Sequence, residues 1–442
     1  MMTPKGERVT SAIRADAETV VRALRQAGHE AYFVGGCVRD MVMGIDPHDY
    51  DVATSATPDQ VMALFPRTAA VGAQFGVILV HTESRSVEVA TFRVDQGYED
   101  GRHPESVRFA TAREDVLRRD FTINGMMLDP KTDEVIDWVG GREDIRRRVI
   151  RAIGNPLERF REDKLRLLRA IRFAARFEYS IEPETYNAIS QVANSLGEVS
   201  QERIRDELVR ILTGPHAGRA LRLMRDLELL APILPEVDAL VGVEQPPQFH
   251  PEGDVFEHTC IMLDEARSPS LELAVAALLH DTGKPSTQTY VDRIRFNEHD
   301  KAGETIAREI CRRLRFSSDQ TEQIASLVGS HMRFAAVQRM KLSTLKRLLA
   351  LPRFDEHLEL HRLDCIASHG KVDNYEFLQQ KLRELSQEEI APEPLLTGRD
   401  LIEMGYAPGA LFHTILSAVR DEQLEGTLTG NEQAREWVRK RW

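Results

Sequence analysis

The pattern of apolar and polar residues divides the chain into a mixed N-terminal part and a helical remainder. In the first part, short apolar runs predict strands at residues 30–34, 75–81 and 86–93, with a short helix at Cys37–Met43. From about residue 138, apolar residues recur every three or four positions. This spacing predicts helices at residues 158–177, 201–212 and 217–230.

Two segments rich in proline or glycine, residues 245–253 and 391–394, mark further boundaries. The predicted fold class is therefore α+β, with a small mixed sheet and its helices followed by all-α domains. The predicted domains are residues 1–137, 138–245, 246–370 and 371–442.

The composition indicates a cytoplasmic protein with no membrane partner. The four cysteines, at positions 37, 260, 311 and 365, lack disulfide-framework or metal-ligand spacing, which indicates free thiols in a reducing compartment. Residues 1–14 lack the apolar centre of a signal peptide, and no later apolar run approaches membrane-spanning length.

The net charge of −12 hides a basic stretch. Residues 142–176 contain 12 basic and 5 acidic residues, which predicts a surface for an RNA phosphate backbone. The alternative is a solvent-exposed helix pair laced with salt bridges.

The segment from Gly35 to Asp51 carries the most specific chemistry. Gly35 and Gly36 follow a predicted strand, so the backbone can turn sharply and place a triphosphate at the next helix, beside Arg39. Asp49 and Asp51 are predicted to share one face of a second strand, a spacing that suits Mg²⁺. Either feature alone is usually a turn or a solvated loop.

In this order, these residues resemble the polymerase-β-like nucleotidyltransferases, and within them the bacterial class II group of tRNA CCA-adding enzymes and poly(A) polymerases. Residues 71–77 have the form seen in CCA-adding enzymes. The resemblance implies a catalytic head in residues 1–137 and a neck and body in 138–245. It also implies template-independent addition of CCA, from CTP and ATP, to the tRNA 3′ end with two Mg²⁺ ions. The tRNA acceptor stem is then a partner, and DNA is not.

The resemblance suggests a third metal carboxylate and a functional loop. Glu88 is the candidate, because it is the acidic residue inside an apolar strand-like run; an outward-facing strand residue is the alternative. Residues 95–104 are predicted to form a polar loop. In the family, a loop at this position helps to switch from C to A addition.

Residues 118–124 match the family's ribose-selecting motif. The resemblance assigns Asp120 and Asn124 to the sugar hydroxyls and Arg118 and Arg119 to phosphates. A capped helix start with a flanking ion pair is the structural alternative.

Residues 162–166 match the family's nucleotide-selecting motif. Asp163 and Arg166 are three residues apart in a predicted helix, so a carboxylate and a guanidinium can read the edge of cytosine or adenine, with Arg169 also at the nucleotide. A salt bridge on a solvated helix is the alternative.

The C-terminal half contains histidines and aspartates in the order of the HD-domain metal-dependent phosphohydrolases. They are His258, His280, Asp281, His299, His331 and Asp364. This ligand set suits a transition metal such as Mn²⁺ or Ni²⁺, and Lys284 is placed to meet a phosphate. The alternative is a helical scaffold for the tRNA body.

Four functions therefore remain open from the sequence. CCA addition with an HD side activity is preferred. The others are A-only addition or polyadenylation, an HD phosphohydrolase with an RNA-delivering N-terminal module, and a non-catalytic RNA-binding module. The oligomeric state is left open.

Overall fold

The computed structural model describes residues 4–72, 76–98, 104–246, 250–251, 253–290 and 292–442. The chain forms two compact units, Met1–Pro235 (unit 1) and Glu236–Trp442 (unit 2). This division precedes the predicted boundary at 245/246, and the finer division into four domains stays a prediction. Along the described part of the chain, no helix is long and apolar enough to span a membrane.

Unit 1 is built on a seven-stranded mixed sheet. Its strands are β1 Ala31–Val34, β2 Asp51–Thr54, β3 Thr68–Gly72, β4 Val77–His81, β5 Ser86–Thr91, β8 Met126–Asp129 and β9 Glu134–Asp137; β6 Arg93–Tyr98 and β7 Pro104–Phe109 form a separate hairpin. The spatial order is β3-β4-β5-β2-β1-β8-β9. β2 and β5 run parallel, and the other neighbours are antiparallel. The predicted mixed sheet is confirmed.

One face of this sheet is covered by α1 (Pro4–Gln26), whose apolar side chains pack on the strands. Val20 and Leu24 of α1 contribute to a core with Phe33 and Val52. The sequence reasoning assigned no helix to this N-terminal segment.

The remaining elements of unit 1 are mostly helical. They are α2 Gly36–Val42, α3 Pro58–Leu64, α4 Ala112–Leu117, α5 Gly141–Arg147, α6 Pro156–Glu162, α7 Arg166–Arg176, α8 Pro183–Val192, α9 Gln201–Leu212 and α10 Ala217–Asp226, with 3₁₀ turns at Thr122–Asn124 and Ala193–Glu198 and the parallel pair β10 Val149–Ile150 and β11 Ser180–Ile181. α9 has the predicted bounds, and α10 ends earlier than predicted.

Unit 2 is almost entirely helical. Its elements are α12 Val255–Glu265, α13 Leu271–Leu279, α14 Lys284–Thr287, α15 His299–Arg313, α16 Ser318–Ser330, a 3₁₀ segment His331–Arg339, α17 Leu342–Leu349, α18 Phe354–Ala367, α19 Asp373–Glu384, α20 Gln387–Ile390, α21 Gly398–Glu403, α22 Ala410–Glu425 and α23 Asn431–Arg441, plus the hairpin β12 Gln288–Tyr290 and β13 Ile294–Phe296; α11 Pro235–Asp238 lies at the division between the units. Residues 273–279 of α13 are all buried, as expected of a helix that is apolar all round.

Three local predictions are wrong: one long helix, one loop and the strand assigned to Asp49. The predicted helix at residues 158–177 is two helices, because the chain is extended at Asp163, whose Oδ1 accepts the N–H of Leu165 over 3.1 Å. Residues 95–98 and 104 belong to the β6–β7 hairpin instead of a loop. Residues 99–103 lie outside the described residues, as do 73–75 in the segment that resembles CCA-adding enzymes.

The predicted strand containing both Asp49 and Asp51 is wrong in its bounds, because Asp49 precedes β2. β2 begins at Asp51, which is paired with Val34, the last residue of β1. The chain turns at Gly35 immediately after Val34, so β1 offers no partner to a residue before Asp51.

Candidate functional site

The turn between β1 and α2 requires glycine at position 35. Gly35 has φ +73°, and a Cβ there would lie 3.4 Å from Arg119 Nη1 and 4.0 Å from Asp51 Oδ2. The start of α2 therefore lies beside one carboxylate and one guanidinium. Arg39 is a second cation at this turn, because its Nη2 would lie 3.6 Å from a Cβ on Gly36.

Three carboxylates influence one another beside this turn. β2 and β5 are parallel, with Val52 opposite Val89, so Asp51 lies beside Glu88. Burial, followed by the charges of Glu88 and Asp49, raises the pKa of Asp51 to about 7. Glu88 is exposed on β5, as the outward-facing alternative predicts, and partial desolvation together with the charge of Asp49 raises its pKa. Sequence reasoning thus selected three residues that the tertiary structure brings together.

This carboxylate group fits a hard divalent cation. Asp51 is only partly exposed, and burial together with the charges of Glu88 and Asp49 disfavours its ionised form, which a bound cation would stabilise. Oxygen ligands of this kind are those that Mg²⁺ prefers. Whether Asp49, Asp51 and Glu88 all hold the ion stays a prediction.

Arg118 and Arg119 share a partner that the sequence reasoning missed. Asp115 Oδ1 lies 2.7 Å from Arg118 Nη2, and Asp115 Oδ2 lies 3.0 Å from Arg119 Nη2. Burial would raise the pKa of Asp115, but the two arginines outweigh it and lower that pKa. The Thr-x-x-Glu capping box that directly precedes it could have signalled α4, but not this pairing.

Asp120 and Asn124 belong to one buried network with Arg39 and Arg169. Arg169 donates from Nε and Nη2 to Asp120 Oδ2 over 2.8 and 2.6 Å. Asn124 donates to Asp120 Oδ1 over 3.3 Å and accepts from Arg39 Nη1 over 2.8 Å. Burial alone would raise the pKa of Asp120, but Arg169 outweighs it, and the pKa is about 2.

Arg39 lies in the interior and is only 5% exposed. Its Nη2 is 2.7 Å from Asp40 Oδ1, and its guanidinium stacks 4.9 Å from the ring centre of Phe177. This arrangement ties α2 to α7. The predicted contact of Arg39 with a phosphate stays a prediction.

Asp163 and Arg166 do not share a helix, because α6 ends before Asp163 and α7 begins at Arg166. Asp163 Oδ1 and Oδ2 accept hydrogen bonds from Arg203 Nη2 over 2.9 and 3.0 Å. Arg166 donates to Glu162 Oε2 over 2.9 Å and to the carbonyl of Arg118 over 3.2 Å. The premise of one helical face is therefore wrong, and Arg203 is a neighbour that sequence reasoning missed.

The basic stretch is partly an internal ion-pair network. Glu207 is buried and lies 2.8 Å from Arg172 Nε and 2.9 Å from Arg210 Nη1. Arg142 and Arg161 are exposed. Residues 142–176 thus contain both paired arginines, as the salt-bridge alternative predicts, and exposed arginines, as an RNA-binding surface requires.

Unit 2 brings the predicted HD residues into two adjoining groups. In each group, the possible ligand atoms lie within 4.8 Å of one another. The groups are His258, His280 and Asp364, and Asp281, His299 and His331. The short distances between Asp281 and His280 (3.1 Å) and between Asp281 and His299 (3.5 Å) join them.

The imidazoles are oriented as metal ligands usually are. Nδ1 of His280, His299 and His331 lies 2.9, 2.8 and 2.6 Å from the backbone carbonyls of Ala277, Phe296 and Val328. A carbonyl can only accept, so in each neutral ring Nδ1 carries the proton and Nε2 is left as an acceptor. The Nε2 atoms of His299 and His331 face each other at 3.2 Å, an arrangement that a cation between them would stabilise.

The electrostatics agree with this orientation. Burial would raise the pKa of Asp281, but His280 and Lys284 lower it well below its ordinary value. His258 likewise lowers the pKa of Asp364 against the effect of burial. Burial and the neighbouring His280 lower the pKa of His331 to about 4, so its ring is neutral near pH 7.

Two glycines allow the elements that carry these ligands to approach closely. A Cβ on Gly283 would lie 2.1 Å from the carbonyl oxygen of His299 and 2.6 Å from the N atom of Gly303. Any side chain at Gly283 would therefore displace His299. The sequence reasoning noted the His-Asp pair and did not identify this requirement.

Models of known protein families match both the N-terminal part and the helical remainder of the chain. The Poly A polymerase head domain matches residues 31–151, the probable RNA and SrmB-binding site of polymerase A matches residues 178–241, and the HD domain matches residues 255–358.

A CCA-adding enzyme of Geobacillus stearothermophilus is 46% identical over 217 residues, 49% of this chain and 54% of that protein. The match thus spans about half of that relative's length. The solved structure of a Bacillus stearothermophilus CCA-adding enzyme in complex with CTP is similar over 100% of this chain and 98% of that one, with a TM-score of 0.76 and 29% identity.

A CCA-adding enzyme of Lactobacillus helveticus is 32% identical over 424 residues, which is 95% of this chain and 94% of that protein. Such a match extends through the carboxylate turn, the helical middle and the histidine cluster. The chain therefore belongs to the family of CCA-adding enzymes.

Proposed function

We propose that the chain adds C, C and A to the 3′ end of tRNA, using CTP and ATP and no nucleic-acid template. The observation that carries this proposal is the group of Asp49, Asp51 and Glu88 beside the Gly35 turn, with the pKa of Asp51 raised by burial and then by the charges of the other two. The relatives named CCA-adding enzymes supply the choice of product.

In this reaction, the tRNA 3′ oxygen forms a bond to the α-phosphorus of the nucleotide, and pyrophosphate leaves. Asp49, Asp51 and Glu88 would hold Mg²⁺, which when bound stabilises the attacking and leaving oxygens. Arg119 lies beside Gly35, where its charge can stabilise the triphosphate.

Hydrogen bonds connect the proposed ribose-selecting segment, residues 118–124, with the proposed base-selecting segment, residues 162–169, which supports a role in nucleotide selection. Arg166 donates to the carbonyl of Arg118, and Arg169 binds Asp120. Asp163 offers an acceptor that Arg203 holds in place. In our proposal, the exocyclic amine of cytosine or adenine donates to Asp163, whereas uracil and guanine present a carbonyl there and are rejected.

The test of CCA addition uses three tRNAs, which lack the last three, two or one residues of CCA, each with a single labelled nucleotide. A CCA-adding enzyme should add C to the first two and A to the third, then stop. Addition of A to the third tRNA alone would identify an A-only enzyme, and continued A addition would identify a poly(A) polymerase.

A second function is favoured by the histidine cluster in unit 2. We propose that His258, His280, Asp281, His299, His331 and Asp364 hold transition-metal ions such as Mn²⁺ or Ni²⁺ and hydrolyse phosphate esters. The ion would make bound water a stronger nucleophile near neutral pH. The residues position it, because backbone carbonyls fix three imidazoles with Nε2 toward the cluster.

Hydrolysis of 2′,3′-cyclic nucleotides and p-nitrophenyl phosphate, measured with Mn²⁺, Ni²⁺ or Mg²⁺, tests this second function. We expect turnover with a transition metal. Absence of both turnover and metal binding under all three ions would instead favour the scaffold interpretation.

A further inference from the structure

A buried glutamine lies against the histidine cluster in unit 2 and belongs to none of the motifs identified above. Gln245 precedes α12 and is only 5% exposed. Its Oε1 accepts a hydrogen bond from Lys284 Nζ over 2.6 Å. Lys284 Nζ is in turn 2.7 Å from Asp281 Oδ2, so Gln245 is one residue removed from the proposed metal ligands.

The orientation of this side-chain amide follows from its partner. An ammonium group only donates, so the atom of Gln245 that faces Lys284 must be its oxygen. The amide nitrogen, bonded to the same carbon, therefore lies close to the Lys284 ammonium. Nε2 of Gln245 is buried and has no hydrogen-bond partner among the described residues.

An unpaired buried N–H is unfavourable, and it indicates a partner that arrives from outside. The acceptors of the cluster do not meet this donor: Asp281 Oδ2 lies 2.7 Å from Lys284 Nζ, and neither it nor His280 Nε2 accepts a hydrogen bond from Gln245. Lys284 and Gln245 contribute N–H donors to a cluster otherwise rich in acceptors and metal ligands. An oxyanion can accept from both.

We propose that Gln245 and Lys284 together bind the phosphoryl group of the ester in the HD site, with the Gln245 amide donating directly to a phosphoryl oxygen. In this arrangement Gln245 has two roles. Its carbonyl positions the Lys284 ammonium, and its N–H₂ group contacts the substrate. The inference rests on the proposed phosphohydrolase function and adds a residue that recognises the anion.

The test measures binding of inorganic phosphate to the full-length protein loaded with Mn²⁺, by calorimetry. Gln245→Met removes both polar atoms, whereas Gln245→Glu keeps an oxygen for Lys284 and replaces the donor with a second oxygen. Gln387→Glu, at an exposed position of α20, controls for added charge. Mn²⁺ affinity without phosphate and the melting temperature are measured for each protein.

We expect Gln245→Met to weaken phosphate binding about tenfold with Mn²⁺ affinity within about twofold of wild type, since a hydrogen bond to a charged group has roughly this effect. Gln245→Glu should weaken it further, because a carboxylate then faces the anion. Gln387→Glu should bind phosphate as the wild type does.

The phosphate affinities of the two variants show whether Gln245 donates to phosphate or only positions Lys284. Wild-type phosphate affinity in Gln245→Glu would overturn the proposed donor role, even with weak binding in Gln245→Met. Unchanged affinity in both variants would also overturn it. If Gln245→Met does not fold, Gln245→Glu alone makes the decision. A wild-type protein that binds Mn²⁺ and no phosphate would overturn the phosphohydrolase proposal itself.

Discussion

The two candidate metal sites solve the problem of clustered charge in opposite ways. In unit 1, carboxylates gather at two neighbouring interior strands of the sheet, β2 and β5, with Arg119 as a nearby cation, and burial together with these carboxylates raises the pKa of Asp51. In unit 2, carboxylates lie among imidazoles and Lys284, and the pKa values of Asp281 and Asp364 fall. The first site is left with excess negative charge, while the second is balanced by its own residues.

This difference indicates how each site keeps its shape. The carboxylates of unit 1 repel one another, so we expect their arrangement to depend on a bound cation. The imidazoles of unit 2 are held by backbone carbonyls and by the close approach of Gly283 to His299, whether or not a metal is bound.

The largest expected effect separates the two activities. Asp51→Ala should lower nucleotide addition by at least about a hundredfold, because it removes a carboxylate of the proposed Mg²⁺ site, and should leave tRNA binding and ester hydrolysis near wild type. His280→Ala should abolish hydrolysis and metal binding in unit 2 and leave addition unchanged. Labelled-nucleotide incorporation, filter binding and metal analysis measure these outcomes.

Asp364→Asn, a milder change at a partly exposed residue, serves if His280→Ala is unstable. Loss of both activities in either variant of a folded protein would contradict two independent sites.

A smaller effect concerns nucleotide choice. Asp163→Ala should lower use of CTP and ATP about tenfold and relax rejection of UTP and GTP, because the acceptor for the exocyclic amine is lost. Arg203→Ala should act in the same direction and less strongly, since it frees Asp163 without removing it.

Single-turnover incorporation of each of the four nucleotides measures this. Reduced thermal stability with unaltered nucleotide preference in both variants would show that the Asp163–Arg203 pair is only a structural ion pair.

The smallest expected effect is on stability against pH in the absence of divalent ions. The folded-state pKa of Asp51 is raised to about 7, so folding of unit 1 should weaken as pH rises from about 4 to 7. The pKa of His331 is lowered to about 4, so unit 2 should instead weaken as pH falls from about 6.5 to 4.

Asp51→Asn should therefore stabilise the metal-free protein at pH 8 by on the order of 1–2 kcal/mol and by less at pH 5. Denaturant unfolding in EDTA measures the difference in the free energy of unfolding between Asp51→Asn and the wild type. We expect Mg²⁺ to remove this difference. If Asp51→Asn is less stable than the wild type in EDTA at pH 8, the proposed excess of negative charge around Asp51 is wrong.

Several features of this protein follow from the sequence by itself because they depend on neighbours along the chain. Apolar periodicity determines the strands around Gly35 and the bounds of α9, and residue order identifies both motif sets. The short spacing from Gly35 to Asp51 also restricts how far apart the turn and the carboxylate can lie.

Only the tertiary structure decided which distant groups meet. Asp163 leaves its helix, where its side chain binds Arg203, forty positions away in α9. Arg39 turns inward because Asn124 and Phe177 offer it a buried site. Local propensity cannot specify such pairings, because a charged side chain takes whichever partner the packing of other elements brings within hydrogen-bond distance. For the same reason, nothing in the residues around Gln245 indicates that its amide lies against the ligands of the histidine cluster.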